Sequence, residues 1–221
     1  MGDSMTAAIT EFFHTIFGDN VWLATILIAI IPLIELKGAI PFAMSVAFWG
    51  ERALNAWLAL LYAYLGSIII VPILALVFRP LYHWLKTKKF FNKIMDFLVG
   101  GVVTKSDQMA ADPTTQAKSA TRQLWLKIVA VGVFVAFPVP LTGVWTGTCF
   151  AVLLGLNFWQ TCATVMVGNA ICGLIVAGVC SVFPSATNIL LFVFLGLVLI
   201  AVIAKIIMHI IKQKRQAPVK E

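Results

Sequence analysis

A glutamate and a lysine stand two positions apart inside a long apolar stretch of the chain. Glu35 and Lys37 belong to the sequence PLIELKGAIPFA, within the apolar run 21–48. An ionisable side chain at the centre of a membrane helix costs about 2.5–3.5 kcal/mol on insertion scales, so such residues usually serve a function. Lys37 would attract an anionic headgroup, while Glu35 would pair with it or carry a coupling proton. The alternative is a structural ion pair that braces a turn. A turn needs no buried charge, so we favour a binding site.

Prolines and glycines accompany these charges and occur together again in the second half of the chain. Gly38 and Pro41 follow the charge pair, and Pro138, Pro140 and Gly143 lie in the sequence FPVPLTGVWTG. Proline removes a backbone donor and glycine tolerates non-helical conformations, so both segments suit a backbone that leaves the helix. We expect the freed amides after Pro140 to form the positive end of a half-helix, which suits a phosphate or a carboxylate.

Uncharged polar side chains supply further candidate ligands in the second half. Thr142 and Thr146 offer hydroxyl groups, and Trp145 offers an indole donor. For each threonine the alternative is a hydrogen bond to a carbonyl of its own helix. Asn169 lies in a later apolar run, where it either makes one interhelical hydrogen bond or lines a cavity.

The composition and the distribution of charge indicate which solvent surrounds this chain. Hydrophobic residues make up 61% and charged residues 11% of the 221 positions, with a net charge of +7. Soluble domains carry about 25% charged residues, so lipid is the expected solvent. The basic residues gather at 79–93, 118–127 and 212–220, beside apolar runs. This is typical of cytoplasmic flanks and argues against a nucleic-acid partner. The sequence lacks the common catalytic motifs, so we predict a protein that is not an enzyme and needs no metal.

Three apolar runs are long enough to span a bilayer, and two more are interrupted. Residues 53–78, 157–183 and 188–211 exceed the ~20 residues that a spanning helix needs. Residues 21–34 would form a helix of about 21 Å, which is short of the ~30 Å hydrocarbon core. The interrupted runs therefore require a different interpretation.

Segments 21–50 and 127–156 are predicted to be re-entrant helical hairpins. The sequence places the turn of the first hairpin at 35–41. Counting crossings back from a cytoplasmic C-terminus, the first hairpin enters and leaves on the outer face and the second on the inner face. Non-helical backbone is tolerated at membrane depth only where it is surrounded by protein or by a wet cavity, so we expect one of these settings for both turns.

The two halves of the chain are similar at an offset of 102 residues. LNAW at 54–57 aligns with LNFW at 156–159, and the turn 35–41 falls on 137–143. With opposed hairpins this indicates an inverted repeat, which in transporters brings broken helices to a binding site near the midplane. The prediction is an all-α polytopic membrane protein with one membrane domain, 21–211. Its parts are an N-terminal interfacial segment (1–20), repeat one (21–79), a basic cytoplasmic loop (80–125), repeat two (126–183), an extra helix (186–211) and a basic tail (212–221).

Two motifs in the chain resemble those of a bacterial family, the putative small multidrug export proteins. Its members are similar in E-L-[RK]-G-A-I-P and in P-x-P-x-T-G-x-W-T-G, and the resemblance covers most of residues 20–180. Arginine is frequent in the family where this chain has Lys37, and a point charge grips a phosphate differently from a planar guanidinium. The paired hairpins also look like the wider DedA-type group, which is associated with lipid translocation. That likeness is an analogy of fold. The resemblance implies signature positions at Glu35, Lys37, Gly38, Pro41, Pro138, Pro140, Thr142, Gly143, Trp145 and Gly147.

From these features we expect a flippase-like transporter or lipid translocase that moves an anionic lipid, such as a polyprenyl phosphate, between paired hairpins. The alternatives are a proton-coupled exporter of small cationic or amphiphilic drugs, with Glu35 as the cation ligand, and a non-transporting membrane scaffold. No cofactor is expected beyond coupling to a proton or a sodium ion. Membrane lipids are the expected partners, and association into a homo-oligomer is left open. The predicted location is the bacterial inner membrane, with the basic loops and the C-terminus in the cytoplasm.

Overall fold

Helices make up the regular structure of every described part of the chain. The computed structural model describes Glu11, residues 15–86, 113–185 and 187–194, and positions 196, 200 and 208. Residues 187–194 are helical, and the prediction of an all-α protein is confirmed for these parts. The helices before them are α1 (Val21–Ile30), α2 (Glu35–Met44), α3 (Val46–Trp49), α4 (Ala56–Lys86), α5 (Pro113–Ala136), α6 (Val144–Leu153) and α7 (Phe158–Val182), with a 3-10 turn at Gly50–Arg52.

Two helices in the described residues are long and apolar enough to cross a membrane. They are Ala56–Pro80 within α4 and the whole of α7, each 25 residues long, or about 37 Å at 1.5 Å per residue. The two run antiparallel. Leu60 near the start of α4 packs on Gly173, beyond the middle of α7, whereas Arg79 near the end of α4 donates to the carbonyl just ahead of α7. Both spans agree with the sequence prediction.

Each long helix has a pair of helices packed beside it, and each pair contains a break. We call α1 and α2 the first pair and α5 and α6 the second pair. Residues 31–34 form the first break, and residues 137–143 form the second break. The second break lies where the sequence predicts it.

The first break corrects the sequence prediction, which placed it at 35–41. Those residues belong to α2, and Pro41 lies inside that helix. The break comes earlier because Pro32 disfavours the helical conformation of Ile31, which is extended with ψ of 128°. Leu33 then has a positive φ of 78°, and the helix resumes at Glu35.

Two hydrophobic cores divide the long helices between them. The first core joins the first pair to Ala59 and Ala63 of α4 and to the later part of α7, around Cys172. The second core joins the second pair to residues 70–75 of α4 and to the early part of α7, around Val165. Because α4 and α7 are antiparallel, the two pairs pack around opposite ends of the α4–α7 unit. Their breaks therefore approach each other from opposite directions.

Two glycines allow the pairs to approach the long helices closely. A Cβ atom on Gly66 of α4 would collide with the carbonyl oxygen of Ile26 in α1. A Cβ atom on Gly168 of α7 would lie 2.6 Å from the carbonyl oxygen of Gly132 in α5. Counted from the first residue of its 25-residue span, each glycine is the eleventh. Each pair therefore contacts its long helix near the middle of that helix.

Several predicted segments fall partly outside the described residues. The interfacial segment 1–20 is described at Glu11 and from residue 15, and the last span is described at 187–194 and three later positions. In the predicted loop 80–125, α4 continues to Lys86 and α5 begins at Pro113. Proline is favoured at the first position of a helix, where its missing amide hydrogen costs nothing. Both flanks of that loop are therefore helical.

We expect Gly66→Ala and Gly168→Ala each to lower the melting temperature of the purified protein in detergent. The new methyl group would meet a backbone carbonyl, and overpacking of this kind costs about 1–3 kcal/mol. Gly178→Ala is the matched control, because it lies in the same helix as Gly168 but a Cβ atom there has open space. Alanine also has the better helix propensity, so the control should not be destabilised. Equal melting temperatures for Gly168→Ala and Gly178→Ala would contradict the close packing.

Candidate functional site

The side chain of Lys37, in the first turn of α2, contacts the second break. Its ammonium group donates to the carbonyl oxygens of Val139 at 2.9 Å and Thr142 at 2.7 Å, and to the Thr142 hydroxyl at 3.3 Å. A Glu35 carboxylate oxygen lies 3.6 Å from the same nitrogen, and the two side chains are only 2% and 6% exposed. The charge pair from the first half is therefore buried, and its cation is bound mainly by the second break.

The carboxylate of Glu35 caps the N-terminal end of α6. It accepts a hydrogen bond from the Trp145 amide at 3.2 Å, and the Val144 amide also interacts with it. These are the first amides of α6, where the helix dipole favours negative charge. Gly143 makes this approach possible, because a Cβ atom there would collide with the carboxylate. The sequence predicts an anion at these amides, and in the structure that anion is the carboxylate of Glu35 itself.

A third contact joins the second break to the end of α1. The Trp145 indole Nε1 donates to the carbonyl oxygen of Ile30 at 3.1 Å, and Ile30 is the last residue of α1. A carbonyl at a helix end has no partner within its own helix, so the indole satisfies it. Trp145 thus links both helices of the first pair to α6, through its indole and its main-chain amide.

The two predicted threonines hold the second break in shape. Thr142 donates to the carbonyl oxygen of Phe137 at 2.7 Å while it accepts from Lys37. Thr146 donates to the carbonyl oxygen of Leu141 at 2.6 Å and accepts from the Gly143 amide at 3.1 Å. Unpaired backbone groups are costly in an apolar environment. These hydroxyl groups therefore stabilise the non-helical segment in the position that binds Lys37.

Five further signature residues contribute helix geometry and packing. The prediction that two of them lie in unwound backbone is wrong, because Gly38 and Pro41 are inside α2. Gly38 instead lets Phe194, from the helical segment 187–194, pack closely on α2. Pro138 and Pro140 occupy the second break, and Gly147 packs closely on α5.

Asn169 is buried in α7 near the charge pair without being bonded to it. It is 1% exposed, and neither its amide nitrogen nor its amide oxygen has a hydrogen-bond partner among the described residues. Cys172, one turn further along α7, is within electrostatic range of Lys37 and Glu35. Asn169 therefore lies close to the α2–α7 contact.

The carbonyl partners of this centre are residues that the sequence analysis missed. Val139 and Ile30 act through the main chain, so their apolar side chains carry no signal. A signal for Val139 did exist, because it stands between two prolines. A break that prolines enforce leaves carbonyls without helical partners, and these carbonyls need donors from elsewhere.

An open groove between α5 and α7 leads toward the second break. Its volume is about 520 Å³. It extends along α5 from Trp125 to Ala136, the last helical residue before the break. Gln160 and Thr164 of α7 add two polar side chains to its otherwise apolar lining. The groove therefore offers an apolar surface that extends to the last residue before the second break.

The chemistry available at this centre is the reversible binding of charge. It contains one carboxylate, one ammonium group, the first amides of α6 and several free carbonyls. Among the residues that the structure describes, no group of three or more His, Cys, Asp or Glu side chains could hold a metal ion. Both charged groups belong to the first pair and bind main-chain groups of the second pair. The contact therefore also holds the two halves of the chain together.

Comparison with known proteins identifies a family for the chain. No curated protein and no solved structure matches it. A family model described as "Putative small multi-drug export protein" matches residues 35–175. That region covers more than half of the chain, begins at Glu35 and contains the whole second break. The description implies a membrane transporter. The chain therefore belongs to the small multi-drug export protein family, whose motifs its sequence resembles.

Proposed function

We propose that the protein is an alternating-access transporter for amphiphilic molecules, and that the contact of Lys37 with the second break is its closed gate. One observation carries the proposal. A cation from the first turn of α2, just after the first break, is bound by carbonyls of the second break in the other half of the chain. Half-helix ends and unwound backbone form the substrate and ion sites of many transporters. The family description supports export as the activity.

An inverted repeat is part of this proposal, and the packing supports it. The Lys37–Val139 and Tyr64–Met166 hydrogen bonds each join residues 102 positions apart, the offset at which the two halves of the sequence align. In a two-fold arrangement, residues that contact their own counterparts lie near the axis. The antiparallel directions of α4 and α7 favour an inverted rather than a parallel repeat. The glycines that pack against the two pairs are also 102 positions apart: Gly66 and Gly168.

We also infer that each pair is a re-entrant hairpin. α1, α2 and α6 have 10 residues each, or about 15 Å, which is half of the ~30 Å hydrocarbon core. α5 is longer, with 24 residues, but its apolar end after Lys127 covers only 128–136. The pairs pack around opposite ends of the α4–α7 unit, and their breaks meet near its middle. Hairpins that enter from opposite faces would have this arrangement. Both breaks keep exposed side chains, such as Ile31, Phe137 and Leu141. Each break would therefore line a water-filled cavity, which is the other setting in which non-helical backbone is tolerated at membrane depth.

Two classes of substrate fit the proposed gate. An anionic lipid such as a polyprenyl phosphate would replace the Glu35 carboxylate at Lys37 and the α6 amides. A cationic amphiphilic drug would replace the Lys37 ammonium group beside Glu35. Both charges are already paired in the closed gate, so either substrate must displace one of them. The groove between α5 and α7 favours a molecule with an apolar tail in both cases.

Cysteine labelling tests the proposed topology. Cysteines at Asn20, Glu51 and Ser185 should react with an impermeant maleimide from one face of the membrane, and a cysteine at Ser119 from the other face. The measurement uses sealed vesicles of known orientation and a background without the four native cysteines. If Asn20→Cys and Glu51→Cys label from opposite faces, the first pair spans the membrane and the inverted repeat is refuted.

Reconstitution into liposomes tests the transport activity and separates the two substrate classes. For an anionic lipid, a fluorescent analogue in the inner leaflet should become accessible to an external quencher faster than in protein-free liposomes. For a cationic drug, a lipophilic cationic dye should leave the liposomes when a proton gradient is imposed. Inactivity in both assays, in protein that keeps its native melting temperature, would favour the non-transporting scaffold and contradict the proposal.

Charge removal distinguishes a gate and binding site from a simple brace. If Glu35 and Lys37 only brace the fold, loss of one charge strands the other and costs about 3–5 kcal/mol, and removal of both restores stability and transport. We expect instead that Glu35→Gln and Lys37→Met each abolish transport, because the substrate loses its charged partner. The double variant should fold and remain inactive. Transport in liposomes and the melting temperature are measured for all three proteins.

An exposed ion pair provides the matched control for this experiment. Asp19 and Arg52 carry the same two charges, but their side chains are 61% and 55% exposed. Exposed pairs contribute at most about 1 kcal/mol, so Asp19→Asn with Arg52→Gln should change stability little and leave transport intact. Wild-type transport by the Glu35→Gln/Lys37→Met protein would refute the binding site.

A further inference from the structure

Four oxygen atoms lie around the ammonium group of Lys37. They are the carbonyl oxygens of Val139 and Thr142 at 2.9 and 2.7 Å, the Thr142 hydroxyl at 3.3 Å and a Glu35 carboxylate oxygen at 3.6 Å. We call these four atoms the oxygen cage. Three of them belong to the second break, whereas the cation that they bind comes from the first pair. The second half of the chain therefore supplies most of the cage, and Glu35 of the first pair completes it.

The oxygen cage has the chemistry of a site for a monovalent cation. The carboxylate balances one positive charge, and the other three oxygens are neutral. Carbonyl oxygens of unwound backbone replace the hydration shell of alkali ions in channels and transporters. The cage is wider than the about 2.0–2.1 Å that Mg²⁺ requires. A divalent ion would also leave an uncompensated charge in the protein interior, which is strongly unfavourable.

We propose that the oxygen cage is a monovalent-cation site and that Lys37 fills it as a tethered cation in the closed state. When the two pairs separate, the ammonium group of Lys37 leaves the cage. Glu35 lies on the same helix as Lys37 and leaves with it. A free monovalent cation, either an alkali ion or a primary ammonium group, then takes the place of Lys37 at the carbonyls of Val139 and Thr142 and the Thr142 hydroxyl. The cage thus binds two alternative cations, one attached to the chain and one supplied from outside.

This inference rests on the proposed transport function only for the role that the oxygen cage plays in the transport cycle. There, the free cation would occupy the carbonyl oxygens of the second break while the gate is open, and Lys37 would expel it on closing. Cation binding by the cage can be measured through protein stability without any transport assay. A failure of cation binding is therefore distinguishable from a failure of transport.

The variant Lys37→Ala tests the proposal, because it removes the tethered cation and leaves room for a free one. We expect the melting temperature of this variant in detergent to rise saturably with K⁺, Na⁺ or methylammonium chloride. The rise should be roughly 5 °C at saturation, compared with choline chloride at equal ionic strength. Choline carries the same charge but is too bulky for the cage. The strongest effect from methylammonium would indicate a site for ammonium groups, and the strongest effect from K⁺ or Na⁺ would indicate an alkali-ion site.

Two further variants and the wild-type protein make the test decisive. Wild-type protein should not respond, because its cage is filled, and Lys37→Met should not respond, because its side chain fills the space without charge. The double variant Glu35→Gln/Lys37→Ala lacks the balancing carboxylate and should lose at least about ten-fold in apparent cation affinity. The proposal is overturned if folded Lys37→Ala responds equally to choline and to the small cations, or responds to none. It is also overturned if Lys37→Met folds but Lys37→Ala cannot be recovered folded in any of these salts.

Discussion

The contact of Lys37 and Glu35 with the second break satisfies the backbone of two interrupted helices at once. An interrupted helix frees carbonyl and amide groups, and in an apolar environment each unpaired group costs several kcal/mol. Lys37 donates to two carbonyls of the second break, Glu35 accepts from the first amides of α6, and Trp145 donates to the carbonyl at the end of α1. Neither break has a complete set of partners within its own half, so the two halves stabilise each other.

Close approach of backbones is the condition for this mutual pairing. Glu35 reaches the α6 amides because Gly143 has no side chain in the way. The pairs in turn reach the middle of the long helices because Gly66 and Gly168 have no side chain, which lets a backbone carbonyl oxygen of each pair pack directly against the helix. Small residues at helix contacts are the usual means of close packing in membrane proteins. Lipid tails are as apolar as the helices, so the hydrophobic effect does not bring the helices together. The position of the charged centre is therefore a consequence of steric fit at three glycines.

Local signals explain which features could be predicted from the sequence. The long apolar runs predict α4 and α7, and Pro138 and Pro140 predict the second break. The first break was misplaced because Pro41, which lies within the predicted turn, is accommodated inside α2. Pro32 acts instead through its effect on the preceding residue. The position of Glu35 and Lys37 in an apolar run predicts buried charges, and their side chains are almost fully buried.

The partners of those charges could not be predicted, because they depend on tertiary contacts between main-chain atoms. The carbonyl of Val139 has the same chemistry as any other carbonyl until the fold brings Lys37 beside it. The same applies to the amide of Trp145, which the sequence suggests for an external anion and which binds Glu35 in the structure. Composition and spacing identify groups that need partners. They do not identify which groups in the other half will supply them.

The two charges lie so close together on α2 that they must enter and leave the contact together. In the proposed cycle, separating the pairs exposes the oxygen cage and the α6 amides at the same moment, and also leaves an ammonium group and a carboxylate to be solvated. A substrate with a single charge can compensate for only one of these losses. Water, or an ion of opposite charge to the substrate, must compensate for the other loss. The substrate alone cannot do so, because a ligand shifts the equilibrium only by the difference in its affinity for the two states. Coupling of the substrate to a second charged species would then follow from charge balance at one contact, without a separate coupling site.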